Sequence, residues 1–254
     1  MNEEFPAILK YCNTNKLSIN LKKTNYMIIT NKLYKPNINI ANIQYKSHIK
    51  YLGVYLDDKL NWSPHIQHVN NKLAKNIGIL RILRNYFSLK MLRQIYYSLV
   101  FPYINYALLS WGNTYKTRLT KIITKQNMAI RNIFFANTRE TAAPYYNILG
   151  VLKVQDIFKL KTGCWIYKLL YCPNKTPIPF RNIITLSSSI HPYQTRYASN
   201  LNLQRPKTRT NYKIHTFQYA ASFIWQTIPL KIKQSKSHSL FKSAYKQHLS
   251  AHIT

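Results

Sequence analysis

The chain of 254 residues carries 37 Lys and Arg against 6 Asp and Glu, a formal net charge of +31, with 46% hydrophobic and 14% aromatic residues. Self-repulsion on this scale calls for a polyanionic partner, while the apolar content is enough for real cores and excludes a disordered basic tail. No run of about 18 uncharged apolar residues is present, the first residues read as no signal peptide, and Cys12, Cys164 and Cys172 make no complete disulfide framework. The expectation is an intracellular protein, nuclear or cytoplasmic, not secreted and not in a membrane, with one large or two small domains.

Residues 1–60 open on a short helix-like start. Alternating Leu17, Ile19 and Leu21 predict a half-buried strand with Lys22-Lys23-Thr24 at its solvent end. Residues 27–30, 37–40 and 49–56 are β-rich, and Asn31/Lys32 and Tyr34-Lys35-Pro36 read as turns. Gly53, inside the last β-rich run, marks close approach by another backbone or a ligand. Ser63-Pro64 supplies an N-cap and a first-position proline, after which Ile66, Val69, Leu73, Ile77 and Leu80 recur at helical spacing. A second helix starts near Ser88, with Leu89, Leu92, Ile95 or Tyr96, and Leu99 on one side, and Pro102 kinks or ends it. A third runs over about 117–135 through Leu119, Ile122, Gln126, Ile130 and Ile133. Three such amphipathic helices with short connections pack as a small bundle. Ala142-Ala143-Pro144 reads as a turn, and a further helix covers 154–171. Prolines and the Ser187-Ser188-Ser189 run make 173–213 an extended linker or lightly structured arm, and helices return at 216–227 and 239–249.

Few patterns carry chemistry. Taken alone, Lys22-Lys23-Thr24 is a solvated strand edge, although a lysine fixed at a strand end also meets a phosphate as a point charge. Tyr55-Leu56-Asp57-Asp58 spells Y-x-D-D, the paired carboxylates that two Mg²⁺ ions need in a polymerase. The acids run on through Lys59-Leu60-Asn61-Trp62 into a helix instead of closing a tight hairpin, and only Glu3 and Glu4 lie upstream, so they read as a turn and helix entry. Cys164, Cys172, His191 and His215 have long, irregular intervals and read as ordinary side chains, not as a zinc site. Tyr96, Tyr97, Tyr103 and Tyr106 lie in the most apolar helical stretch and read as core. Arg118, Lys121 and Lys125 fall at i, i+3 and i+7, and Lys72, Lys75, Lys90 and Arg93 on the preceding helices join them as candidates for duplex binding; the alternative is an ordinary solvated helix face. No nucleophile motif or phosphate-cradling glycine loop is readable.

In order and spacing, the stretches NKLSINLKKT (15–24), KYLGVYLD (50–57) and LNWSPHI (60–66) resemble the reverse transcriptases of non-LTR (LINE-type, jockey-like) retrotransposons. The resemblance continues through 80–83 and 95–107 to FIWQTIP (223–229) and LFKSAYK (240–246). It implies an α+β, mainly α fold: a small antiparallel remnant of the polymerase palm with the primer-grip hairpin at 1–60, a thumb-like helical bundle at 61–135, a helical connector at 136–172, and a basic Pro-containing linker with C-terminal helices at 173–254. It implies that Lys23 lies near the phosphates of the incoming nucleotide and that Tyr51, Leu52 and Gly53 form the primer grip. The family activity is RNA-directed DNA synthesis. The family's catalytic Y-x-D-D precedes the segment matching 15–24, so the chain is expected to lack it, to hold no metal or cofactor of its own, and to be inactive alone. Mg²⁺ belongs to the full-length parent. The partners implied are an RNA template, an RNA/DNA hybrid or DNA, with no membrane and no small-molecule cofactor. The alternatives are a non-enzymatic basic nucleic-acid-binding protein, or a decayed element copy with no selected function.

Overall fold

The computed structural model describes residues 4–30, 43–190, 193 and 195–251; Glu3, the turns expected over 31–36, the strand expected at 37–40 and His191 lie outside them. The fold is α+β and mainly helical, in two compact units, Met1–Gln67 and His68–Thr254.

The first unit begins with α1 (Glu4–Thr14), which buries none of its residues. The strand expected through Leu17, Ile19 and Leu21 does not form, and both leucines are exposed. A local turn competes for its backbone. The Asn20 carbonyl accepts from the amides of Lys23 and Thr24, at 3.0 Å each, and its side-chain oxygen accepts from Lys23 at 3.2 Å. Such side-chain-to-backbone bonding offers the chain an alternative to a sheet ladder. Residues 27–30 also stay outside a ladder; the paired segment lies earlier, where β1 (Asn25–Tyr26) runs parallel to β2 (Gln44–Tyr45). The antiparallel pair is β3 (His48–Tyr51) with β4 (Val54–Asp57), in register Ile49 with Leu56 and Tyr51 with Val54. The β-rich run at 49–56 is therefore folded back on itself. Leu52 (φ 44°) and Gly53 (φ 80°) are both left-handed, as a two-residue turn matched to strand twist requires. Gly53 serves this reversal and does not sit inside a strand.

Helix α2 (Ser63–Leu83) starts in the first unit and runs into the second. Its expected stripe is the buried one: Ile66, Val69, Leu73, Ile77 and Leu80 are all at most 3% exposed. The cap differs from expectation. Ser63 is already helical, Ile66 N–H bonds to the Trp62 carbonyl, and the Ser63 amide is capped by the Asn61 side chain at 3.0 Å.

In the second unit α3 (Leu89–Leu99) buries Leu92 and Tyr96, while Leu89 in the first turn stays exposed. Pro102 has no amide to donate, and it sits in the opening turn of a separate helix, α4 (Phe101–Asn105), followed by α5 (Leu108–Trp111). Helix α6 (Lys116–Ile133) buries Leu119, Ile122, Gln126, Ile130 and Ile133, the predicted face. Gln126 is the polar knot of this core. Its amide nitrogen donates to the Tyr96 hydroxyl and the Leu152 carbonyl, each at 2.9 Å, and its oxygen accepts from Val154 N–H at 2.8 Å. Every hydrogen-bonding direction it uses is answered, so its burial carries no unpaired polar group.

The turn expected at 142–144 is instead the start of α7 (Ala143–Leu149), with Pro144 in the first turn where its missing N–H costs nothing. Helix α8 (Val154–Tyr171) has the predicted bounds and is the central element of the unit. Helices α11 (Phe217–Thr227) and α13 (His238–Ala251) pack on it. Tyr167 stacks on Phe241 with centroids 4.7 Å apart, and Phe241 on Trp225 at 5.8 Å. Between α8 and α11 the described residues form three short 3₁₀ turns, the bridge Leu186–Leu203 and the brief helices α9 (Arg196–Ser199) and α10 (Asn211–Ile214), in the segment where the prolines predict an extended linker or lightly structured arm. Helix α12 (Leu230–Lys233) joins α11 to α13. Among the described residues no helix is long and apolar enough to cross a membrane.

Candidate nucleic-acid interface

In the first unit the Asn20 turn carries Lys23 to the wall of an open cleft of about 710 Å³, lined also by Tyr45, Lys46, His48, Lys50 and Tyr55. The β3 strand explains part of this set. Side chains two residues apart share a face of a strand, so His48 and Lys50 follow one another along one side, while Lys46 precedes the strand across the bend at Ser47. Lys50 is the register partner of Tyr55, its ammonium lies 5.8 Å from the ring centroid, and the His48 ring lies 6.5 Å from the same ring. No carboxylate is among the described lining residues, so the cleft concentrates positive charge beside aromatic rings. Tyr51 and Leu52 stand at the exposed hairpin tip, 62% and 74% exposed, with Gly53. Sequence reasoning singled out Lys23 and the tip but missed Lys46 and His48. The local clustering of Lys46, His48 and Lys50 ahead of the hairpin was the available signal.

The Y-x-D-D carboxylates are committed elsewhere. Asp57 Oδ1 accepts from the amides of Lys59 (3.2 Å) and Asn61 (3.1 Å), and Oδ2 from Trp62 at 2.7 Å. It thereby holds a loop in which Leu60 and Trp62 both adopt left-handed backbone, φ 48° and 64°. Asp58 Oδ2 accepts from the Tyr45 hydroxyl at 3.2 Å. Both acids are buried, at 6% and 8% exposure. The turn-and-helix-entry role is the one the geometry serves. No group of three or more His, Cys, Asp or Glu among the described residues is placed to hold a metal ion.

In the second unit Lys72, Lys75, Lys90 and Lys121 are exposed, and Arg118 and Lys125 half-buried. On α6, Arg118, Lys121 and Lys125 occupy the flank beside the buried stripe. Arg118 lies over the Tyr115 ring at 4.8 Å, and Tyr115 packs on His215 at 4.2 Å. Arg93 is partly drawn into packing. Its guanidinium donates to the Gly150 carbonyl at 3.4 Å and lies 6.0 Å from the Tyr97 ring. Of the four helical tyrosines, Tyr96 is fully buried, Tyr97 and Tyr103 are half-buried, and Tyr106 is 54% exposed because it ends α4 at the surface. His215 Nδ1 bonds the Asn113 carbonyl at 2.6 Å. Burial pushes the Cys164 thiol up to about 11, so it stays a neutral thiol.

Two curated proteins of Drosophila melanogaster carry the comparison. The chain is 28% identical over 154 residues to the probable RNA-directed DNA polymerase from transposon BS. It is 27% identical over 152 residues to the RNA-directed DNA polymerase from mobile element jockey. This chain is similar to transposon RNA-directed DNA polymerases. Each match covers 58% of the chain, and the chain spans only 16% of the length of these polymerases. No protein-family model and no solved structure matches it.

Proposed function

We propose that the chain grips nucleic acid for RNA-directed DNA synthesis, as the template–primer-holding portion of a transposon-type polymerase. The observation that carries this reading is the first-unit cleft. Lys23 and the β3–β4 hairpin come from the two separate motifs that resemble reverse transcriptases, and the fold lines one cation-rich cleft with both. In this reading Lys23, Lys46 and Lys50 meet phosphates as point charges, and the Tyr51-Leu52-Gly53 tip presents the primer end. The cations of α2, α3 and α6 hold backbone phosphates without reading sequence. The chain supplies grip and not chemistry. Two-metal phosphoryl transfer needs free carboxylate oxygens, and both oxygens of Asp57 already accept backbone amides. Among the described residues no third ligating side chain joins Asp57 and Asp58, so they do not make a donor set that fits the divalent ions of the reaction.

Binding of a labelled RNA/DNA hybrid, titrated against salt, tests the proposal. Each phosphate contact contributes about 0.9 to the log–log salt slope on a duplex. Replacing Lys23, Lys46 and Lys50 by Ala is expected to flatten the slope by about 2 to 3 and to weaken binding at least tenfold at low salt. Binding indifferent to salt and to these changes refutes the grip. Mg²⁺-dependent primer extension that disappears in Asp57→Asn with Asp58→Asn refutes the assignment of those two acids.

A further inference from the structure

A second, more enclosed cavity lies wholly in the second unit, on a surface that none of the duplex-binding candidates lines. It has a volume of about 450 Å³ and opens between α3, α4, α8 and α13. Tyr97, Phe101, Leu109, Leu160 and Trp165 make its apolar walls, and Lys161, Lys168, Lys242 and Lys246 ring it. Lys161 is turned inward: its ammonium donates to the Asn105 carbonyl at 2.6 Å, and burial lowers its pKa. Lys168 is half-buried, and Lys242 and Lys246 are exposed, one helical turn apart on α13. No acid is among the described residues that line the cavity. His238 also lines it, and its Nε2 is buried with no hydrogen-bond partner among the described residues. Burial, and then the charges of Lys168 and Lys242, lower the pKa of His238, which keeps the ring neutral at physiological pH.

We propose that this cavity receives an unstacked base of single-stranded nucleic acid, with the neighbouring phosphates running along Lys168, Lys242 and Lys246. Three features select this occupant. The walls offer aromatic faces at Tyr97, Phe101 and Trp165, and stacking on such faces accepts every base. Lys168, Lys242 and Lys246 all line the cavity with no acid among the described lining residues, a set suited to a chain of anions more than to one carboxylate. The volume of about 450 Å³ lies at the small end of the ~300–1,000 Å³ that ligand pockets span, the scale of one base more than of a docked helix. His238 Nε2 supplies a buried acceptor, unpaired among the described residues, that a base edge would satisfy. The proposal rests on the nucleic-acid reading above but concerns a different surface and single strands.

The test is fluorescence anisotropy of the full chain with labelled 12-nucleotide DNA and RNA single strands, abasic strands of equal length, a hybrid duplex and a Glu-rich peptide. The intact chain is expected to prefer the strand with bases over the abasic strand by about tenfold. Lys242→Ala with Lys246→Ala, at exposed positions that leave the fold alone, should weaken both strands and flatten the single-strand salt slope by about 1.4. Trp165→Leu should erase the base preference and leave the slope unchanged. Equal affinity for abasic and base-bearing strands, a salt slope untouched by the lysine pair, or tighter binding of the peptide than of any strand each overturns the proposal. Hybrid binding through Lys23, Lys46 and Lys50 should persist in all these variants, so failure here leaves the first-unit cleft standing, and failure there leaves this cavity standing.

Discussion

Asp57 shows how one side chain settles a local structure that its neighbours in sequence disguise. Its carboxylate answers three backbone amides of a loop with two left-handed residues, so truncation orphans those amides and frees the strain together. Asp57→Ala is expected to cost about 2 kcal/mol, with Asp57→Asn milder because one side-chain oxygen remains. Hydrogen exchange at the Asn61 and Trp62 amides should accelerate in the same order. Lys233 is the opposite kind of residue, a cation that the fold takes in. It is 2% exposed, donates to the Asn200 carbonyl at 3.0 Å and to Asn202 Oδ1 at 2.9 Å, and lies 5.6 Å from the Trp225 ring centroid. Burial without a carboxylate brings its pKa down to about 8 from 10.5. Below about 8 the folded and unfolded chains both carry the proton, and the burial penalty is present in full. Between 8 and 10.5 only the unfolded chain holds it, so stability rises with pH. The gain from pH 7 to 9.5 should be about 2 kcal/mol, absent in Lys233→Met. Chemical denaturation across that range measures it, below the region where the buried tyrosines begin to oppose the trend. Neither role was legible locally: Asp57 carried a catalytic-looking motif, and Lys233 is one lysine among many.

Among the elements, those with a full stripe were readable. The apolar spacings of α2 and α6 predicted both the helices and their buried faces, because a helix must bury whatever its 3.6-residue period gathers on one side. Short elements escaped. The α7 helix was read as a turn, since Ala-Ala-Pro marks a helix start and a turn equally well, and the Leu17–Leu21 strand lost to the Asn20 turn. Packing between elements was equally hidden. On α8, Gly163 faces Tyr245 of α13 so closely that a Cβ would lie 2.7 Å from the ring, and Tyr245 is 1% exposed. Gly163→Ala should therefore destabilise the unit by about 1–3 kcal/mol through overpacking, despite its gain in helix propensity, which a thermal melt followed by far-UV circular dichroism will show.

At the scale of the molecule the two units differ in how much they bury. In the second, α3, α5, α6, α8, α11 and α13 each contribute fully buried side chains, among them Tyr96, Trp111, Trp225 and Phe241. In the first, α1 buries nothing, and Ile8, Tyr11, Leu17, Ile29, Tyr51 and Leu52 are all more than half exposed. Local opening is easiest where few apolar contacts must be broken. Amides of α1 and β3–β4 are thus expected to exchange faster than those of α6 and α8, by orders of magnitude, in native-state hydrogen exchange. Equal protection in the two units contradicts this.

By itself the sequence determined the basic character of the protein, its helical periodicity and its likeness to transposon polymerases, because net charge, side-chain spacing and motif order are properties of the chain in one dimension. Only the tertiary structure decided that Lys23 and the 50–57 hairpin share a cleft, that Asp57 spends both carboxylate oxygens on loop amides, and that the C-terminal helices close around α8. Each of these joins groups far apart in the chain or chooses among competing hydrogen bonds. That choice is made by packing and desolvation, which no local pattern encodes.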